Sequence, residues 1–120
     1  MAFFAVAIPI LPGKTEQWRQ FANEIAHGRW SRDFAESRRR LGVHERTFFQ
    51  STPMGDFVIV TLEGDDPAGA FQRFASGNDE FTRWFLQQVK EVHGLDLTQP
   101  MSGGFPELVV DTRRGGLSAR

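Results

Sequence analysis

The chain has 120 residues, a formal net charge of −1 and 40% hydrophobic residues, a composition that indicates one globular domain and excludes a largely disordered chain. It has no cysteine and no tyrosine, which excludes disulfides, thiolate nucleophiles, zinc–thiolate sites and phenol chemistry. The near-zero charge argues against nucleic-acid binding, and the 12 phenylalanines favour a core, a pocket wall or a subunit interface.

The first segment, FFAVAIPI (residues 3–10), is apolar at every position. Such a run predicts a strand that is buried on both faces. No Lys or Arg precedes it and no small-residue cleavage site follows it, so we do not interpret it as a signal peptide. It is also too short to cross a bilayer. We therefore expect a cytoplasmic protein that does not associate with membranes.

Two helices are predicted to follow this strand. Thr15 can cap the first helix, and its apolar side has helical spacing: Trp18, Phe21, Ala22 and Ile25. Ser31 can cap the second, which ends at Gly42 and has four residues on one side: Trp30, Phe34, Ser37 and Leu41. We expect the charged run ESRRR (residues 36–40) to cover the solvent face of this helix rather than to bind an anion.

The second half repeats the pattern. VHERTFFQST (residues 43–52) alternates as a strand does, the turn around Pro53 and Gly55 forms a hairpin, and DFVIVTLEG (residues 56–64) returns. Asp66 and Pro67 are suited to begin a third helix, and Asn78 or Asp79 can start a fourth that ends at His93. A loop then leads to ELVVDT (residues 107–112), which we predict to be the last strand.

This order predicts an α+β fold of the ferredoxin-like type, a split βαβ with broken crossover helices and a four-stranded antiparallel sheet. We expect one domain over residues 1–112 and a flexible C-terminal tail over residues 113–120. Helices cover only one face of such a sheet, whereas the first and third strands are apolar on both faces. The other face is therefore predicted to pack against a second copy of the chain, which gives a homodimer.

The stretches LGVHERTFFQSTPMGDFVIVTLEGDDP (residues 41–67) and DEFTRWFLQQVKEVHGLDL (residues 79–97) resemble an uncharacterised bacterial family of small proteins. That family is similar to the dimeric α+β barrel superfamily, which includes antibiotic-biosynthesis-type cofactor-independent monooxygenases, haem-degrading monooxygenases, chlorite dismutases, muconolactone isomerases and stress-responsive proteins. The resemblance extends over residues 3–112. It implies a pocket between the sheet and the helices of each subunit, and it specifies no activity because this architecture hosts many chemistries.

Two histidines are candidate catalytic residues, His93 and His44. His93 lies in the last turn of its helix, directly before Gly94, where the helix dipole favours a cation and glycine provides a left-handed cap. We interpret His93 as the end of the helix, with catalysis as the alternative. No pair of histidines has metal-ligand spacing, so we predict no metal site and no cofactor, although an isolated histidine is compatible with haem ligation.

Four residues are candidate ligand-binding residues: Arg46, Phe48, Gln50 and Trp84. Arg46, Phe48 and Gln50 share one strand face with His44, and a set of hydrogen-bonding side chains around a ring suits a small ligand with a carbonyl or carboxylate group. The alternative is the ordinary polar face of an edge strand. Trp84 is predicted to be a core or pocket-wall residue.

Three functions remain open. The first is a homodimer that binds a small apolar or aromatic ligand between sheet and helices. The second is a cofactor-independent monooxygenase or isomerase acting on a small aromatic or polyketide-like substrate, with His44 or His93 as the base and Arg46 and Gln50 as orienting groups. The third is a structural or stress-related dimer without a small-molecule site. The sequence does not decide whether the protein is an enzyme.

Overall fold

The structure is a computed structural model, and it describes residues 2–100 and 104–114. It is an α+β arrangement of three strands, four α-helices and one 3-10 helix over these residues. In chain order the elements are β1 (Ala2–Pro9), α1 (Thr15–Ala26), α2 (Ser31–Leu41), β2 (Val43–Thr52), β3 (Gly55–Gly64), α3 (Pro67–Ala75), α4 (Glu80–His93) and a 3-10 helix (Thr112–Arg114).

The sheet is antiparallel, with the strand order β1-β3-β2. At its centre Val58 of β3 pairs with Ile8 of β1 and Phe49 of β2. Because both outer strands run antiparallel to β3, they run parallel to each other, and α1 and α2 form the crossover that joins them. β2 and β3 are joined by a two-residue turn, Pro53 and Met54, and Gly55 at the start of β3 has a φ of 122°, a backbone conformation that favours glycine.

The predicted fourth strand is absent from this sheet. Residues 106–111 form no strand, and a 3-10 helix begins at Thr112. The side chains of Leu108, Val109 and Val110 are exposed. The β-branched residues of ELVVDT favour extended backbone, but a strand also needs a neighbouring strand to hydrogen-bond with, and the free edge of β1 is not used. The described sheet therefore has three strands, and the last six residues of the predicted tail lie outside the described residues.

Two of the four predicted helix caps are confirmed. The Asp66 and Asp79 carboxylates accept hydrogen bonds from the backbone N–H groups of Gly69 and Thr82, respectively, three residues along each helix. Thr15 and Ser31 do not cap their helices; each is the first residue of its helix. The Thr15 hydroxyl instead donates to the Asp56 carboxylate at 2.6 Å, which ties the start of α1 to the start of β3.

All four α-helices lie on one face of the sheet. The main core consists of buried apolar and aromatic side chains from α1, α3, α4 and β3, together with Ile10 and Trp30; among them are Trp18, Phe21, Phe74, Phe85, Val89 and Val58. A smaller cluster under α3 contains Phe4, Val6 and Leu62. Within this single chain β1 is buried on the face that carries Phe4 and Val6, and Phe3, Ala5 and Ala7 are exposed on the other face, which is the face predicted to meet a second copy.

Candidate functional site

A cavity of about 340 Å³ lies between the sheet and the helices. Its walls are mostly apolar and come from both layers; the ring-bearing lining residues are Trp18, Phe21, Phe34, Phe71, Phe74 and Phe85. Four residues with hydrogen-bonding side chains also line it: Arg38, Glu45, Thr47 and His93. An apolar cavity of this size with a few polar groups is typical of a small-molecule site.

Arg38 and Glu45 form a buried ion pair at the wall of this cavity. Arg38 Nε lies 2.7 Å from Glu45 Oε1, and the side chains are only 13% and 6% exposed. Arg38 Nη1 donates to the hydroxyl of the buried Ser37 at 3.0 Å, and the Thr47 hydroxyl donates to Glu45 Oε2 at 3.2 Å. The two opposite charges therefore compensate each other, and the hydrogen bonds hold them in place.

Aromatic rings surround the Arg38 guanidinium. Its central carbon lies 4.6 Å, 4.4 Å and 5.1 Å from the ring centroids of Phe34, Phe74 and Phe85, respectively. These are cation–π distances, and such contacts strengthen when the cation is removed from water. The guanidinium is thus fixed by rings from α2, α3 and α4 and by Glu45 of β2. The expectation that residues 36–40 cover a solvent face is wrong at Arg38, whereas the burial of Ser37 agrees with its predicted place on the side of Phe34 and Leu41.

His93 lines the cavity from the C-terminal end of α4. Its Nδ1 lies 2.8 Å from the carbonyl oxygen of Pro9. Because a carbonyl only accepts hydrogen bonds, Nδ1 carries the proton, and Nε2 of the neutral ring is an acceptor. Burial lowers the pKa of His93, and the hydrogen bond to Pro9 opposes this shift without reversing it. His93 therefore places a neutral imidazole in the cavity wall at pH 7.

The capping role of this helix end is confirmed as well. Gly94 follows His93 with a φ of 68°, and its N–H donates to the carbonyl of Lys90. The two interpretations of His93, a helix end or a catalytic residue, do not exclude each other, because the last residue of α4 also lines the cavity.

The other predicted site residues do not line this cavity. His44, Arg46, Phe48 and Gln50 share the opposite face of the sheet, where they are exposed. Arg46 Nη1 lies 3.4 Å and His44 Nδ1 3.9 Å from Glu63 Oε1, in exposed pairs that are weak in water. The strand face carrying His44, Arg46 and Gln50 is thus the face without helices.

Trp84 belongs to an aromatic cluster between α1, α2 and α4. Its ring stacks on Trp30 at a centroid distance of 5.3 Å and lies 5.4 Å from Phe21. Trp84 does not line the cavity, so its placement agrees with the core role predicted for it. In the same cluster the indole N–H of Trp30 is buried and has no hydrogen-bond partner among the described residues.

The sequence contains a signal for the two residues that its interpretation missed. Arg38 lies four residues after Phe34 and three before Leu41, and therefore on the same helix face as two apolar residues. Glu45 lies on the same face of β2 as Val43 and Phe49, and this face turns toward the helices. Opposite charges on the inward faces of a helix and of the strand that follows it indicate a buried ion pair.

The cavity is not accompanied by a membrane-spanning helix or a metal-binding cluster in the part of the chain that the structure describes. Every helix within residues 2–100 and 104–114 is too short or too polar to cross a membrane. Over the same residues no group of three or more His, Asp or Glu side chains is arranged to hold a metal ion. No protein-family model, curated protein or solved structure matches the chain. The resemblance to the dimeric α+β barrel superfamily therefore stays a prediction.

Proposed function

We propose that the protein binds a small apolar or aromatic molecule in the cavity between the sheet and the helices. The observation that supports this most directly is the composition of the cavity wall, in which rings surround a few fixed polar groups. Arg38 is held in one orientation by Glu45 and Ser37, and His93 is held by Pro9. Polar groups that are already fixed lose little freedom when a ligand binds.

The experiment is a binding titration with N-phenyl-1-naphthylamine, an uncharged aromatic dye whose fluorescence rises in an apolar environment. We expect saturable binding with a stoichiometry of about one per chain. Ala22 is half-buried in the cavity wall on α1, and Ala22→Phe fills part of the space. Ala35 is exposed on α2 and outside the cavity, so Ala35→Phe is the matched control.

The proposal predicts that Ala22→Phe weakens dye binding by at least about tenfold, while Ala35→Phe binds as the wild type does. Thermal unfolding of both variants checks that each is folded. No saturable binding by the wild type, or equal binding by the two folded variants, overturns the proposal.

The second candidate function is an enzyme, a cofactor-independent monooxygenase or isomerase with an aromatic or polyketide-like substrate. The observation that favours it is His93, which lines the cavity and whose neutral ring leaves Nε2 as an acceptor. Such a nitrogen is suited to take a proton from a bound substrate. Dye binding together with substrate turnover that is lost in His93→Phe would support the enzyme; dye binding without turnover supports the binding protein.

We further propose that two copies of the chain pack through the helix-free face of the sheet, as in the dimeric barrel that the sequence resemblance implies. Ala7, Ile59 and Phe48 are cross-strand neighbours in one row across that face. Phe48 is 52% exposed and Phe3 is 61% exposed on the same face. An apolar row of this kind is typical of an interaction surface, and Arg46 and Glu63 add opposite charges suited to a self-complementary contact.

A further inference from the structure

The charges of the cavity wall restrict what it can bind. Arg38 and Glu45 are the two charged residues that line it, and they lie 2.7 Å apart. Their opposite charges cancel, and His93 is neutral because burial lowers its pKa. A carboxylate ligand would bring an uncompensated charge into an apolar space, or would have to displace Glu45 from Arg38. An uncharged ligand incurs neither cost.

The hydrogen-bonding groups of the wall restrict the ligand further. Nε2 of His93 is an acceptor, because Nδ1 donates to the carbonyl of Pro9. A ligand that covers Nε2 removes it from water, and the acceptor then loses free energy unless the ligand supplies a donor, so a ligand that carries a donor is favoured over one that does not. A hydroxyl on an aromatic ring is such a donor, and it also accepts hydrogen bonds.

From these two features we infer that the ligand is an uncharged aromatic molecule with a hydroxyl group, which donates to His93 Nε2 while the Arg38–Glu45 pair selects against carboxylates. The inference rests on the proposed binding function. It adds two specificities, one against charged ligands and one for ligands with a hydroxyl group, and the loss of either one contradicts it.

The charge specificity is tested with 2-naphthol, which is uncharged at pH 7, and 2-naphthoate, which is an anion, by isothermal titration calorimetry. Any apolar cavity prefers the uncharged probe, so the measured quantity is the ratio of the two dissociation constants in each variant. Glu45→Gln leaves Arg38 without its carboxylate, and we expect the preference for naphthol to fall by at least about tenfold. The double variant Arg38→Gln with Glu45→Gln is again uncharged and is expected to recover the wild-type ratio.

Arg38→Gln provides a second measurement in case Glu45→Gln does not fold. It leaves the Glu45 carboxylate without its cation, and we expect it to bind naphthoate more weakly relative to naphthol than the wild type does. An equal ratio in the wild type and in every folded single-charge variant overturns the charge specificity.

The hydroxyl specificity is tested with 2-methoxynaphthalene, which has no donor. We expect wild-type protein to bind naphthol at least about tenfold more tightly, and His93→Phe to bind the two probes with similar affinity. An equal affinity for the two probes in the wild type overturns this part and with it the ligand class. Since N-phenyl-1-naphthylamine binding is measured separately, a cavity that takes this dye but does not discriminate among the naphthalenes contradicts only the specificity, and a cavity that takes no dye contradicts the binding function itself.

Discussion

Arg38 Nε lies 2.7 Å from Glu45 Oε1, and this ion pair joins α2 to β2 at the wall of the cavity. Both side chains are largely removed from water; Arg38 Nη1 also contacts Ser37, and Glu45 Oε2 contacts Thr47. A buried pair of this kind is costly to break, because the partner that is left behind is a buried charge. The net contribution of the whole pair to the free energy of unfolding is smaller, because both ions are better hydrated in the unfolded chain.

The first prediction is that removing one charge of this pair costs more stability than removing both charges. Arg38→Met leaves the Glu45 carboxylate buried and unpaired, and we expect the free energy of unfolding to fall by about 3–5 kcal/mol. The double variant Arg38→Met with Glu45→Met removes both charges and is expected to be close to the wild type in stability, or above it. Urea denaturation of the wild type, both single variants and the double variant measures the coupling.

The control for the first prediction lies on the same helix. Arg39 pairs with Glu36 on the exposed side of α2, and Arg39→Met is expected to leave the free energy of unfolding close to that of the wild type. If Arg38→Met costs no more than Arg39→Met, the burial of the ion pair is contradicted.

The second prediction concerns the pH dependence of stability. Burial lowers the pKa of His93 in the folded chain below its ordinary value of about 6.5. Between the folded and unfolded pKa values the unfolded chain binds more protons, so stability rises with pH in that window. The contribution of His93 is therefore fully present above about pH 6.5 and is lost as the pH falls through the folded pKa.

His93→Gln tests this pH dependence. We expect the variant to lose less stability than the wild type when urea denaturation is compared at pH 7 and at successively lower pH values. His27 is exposed at the end of α1, and His27→Gln is expected to retain the wild-type pH profile. A His93→Gln profile parallel to that of the wild type would show that the imidazole is not held in its neutral form.

The sequence predicts the elements of this fold better than it predicts the surroundings of single side chains. Hydrophobic periodicity and the caps at Asp66 and Asp79 place four helices and three strands, because these signals are local. The prediction of a strand over residues 107–112 is wrong, because strand formation depends on a partner strand elsewhere in the chain.

The candidate site was harder to predict for the same reason. The sequence identifies His93, whereas the charge of Arg39 and Arg40, which are exposed, leads to the wrong prediction that Arg38 faces solvent. Its burial depends on Glu45 and on rings from α3 and α4 that the sequence separates from it. Alternation along β2 grouped His44, Arg46 and Gln50 correctly on one face, but which face meets the helices is a property of the assembled sheet.

The third prediction concerns the homodimer. Phe48 stands beside Ile59 in the apolar row of the helix-free sheet face, and a lysine there would place a charge at the centre of the proposed interface. We expect the wild type to be a dimer at micromolar concentration by size-exclusion chromatography with light scattering, and Phe48→Lys to be a folded monomer. The control is Met54→Lys at the tip of the hairpin, where the side chain is 90% exposed, and this variant is expected to remain a dimer. A monomeric wild type contradicts the dimer, and a dimeric Phe48→Lys places its interface on another surface, since a buried lysine opposite an apolar row would cost several kcal/mol.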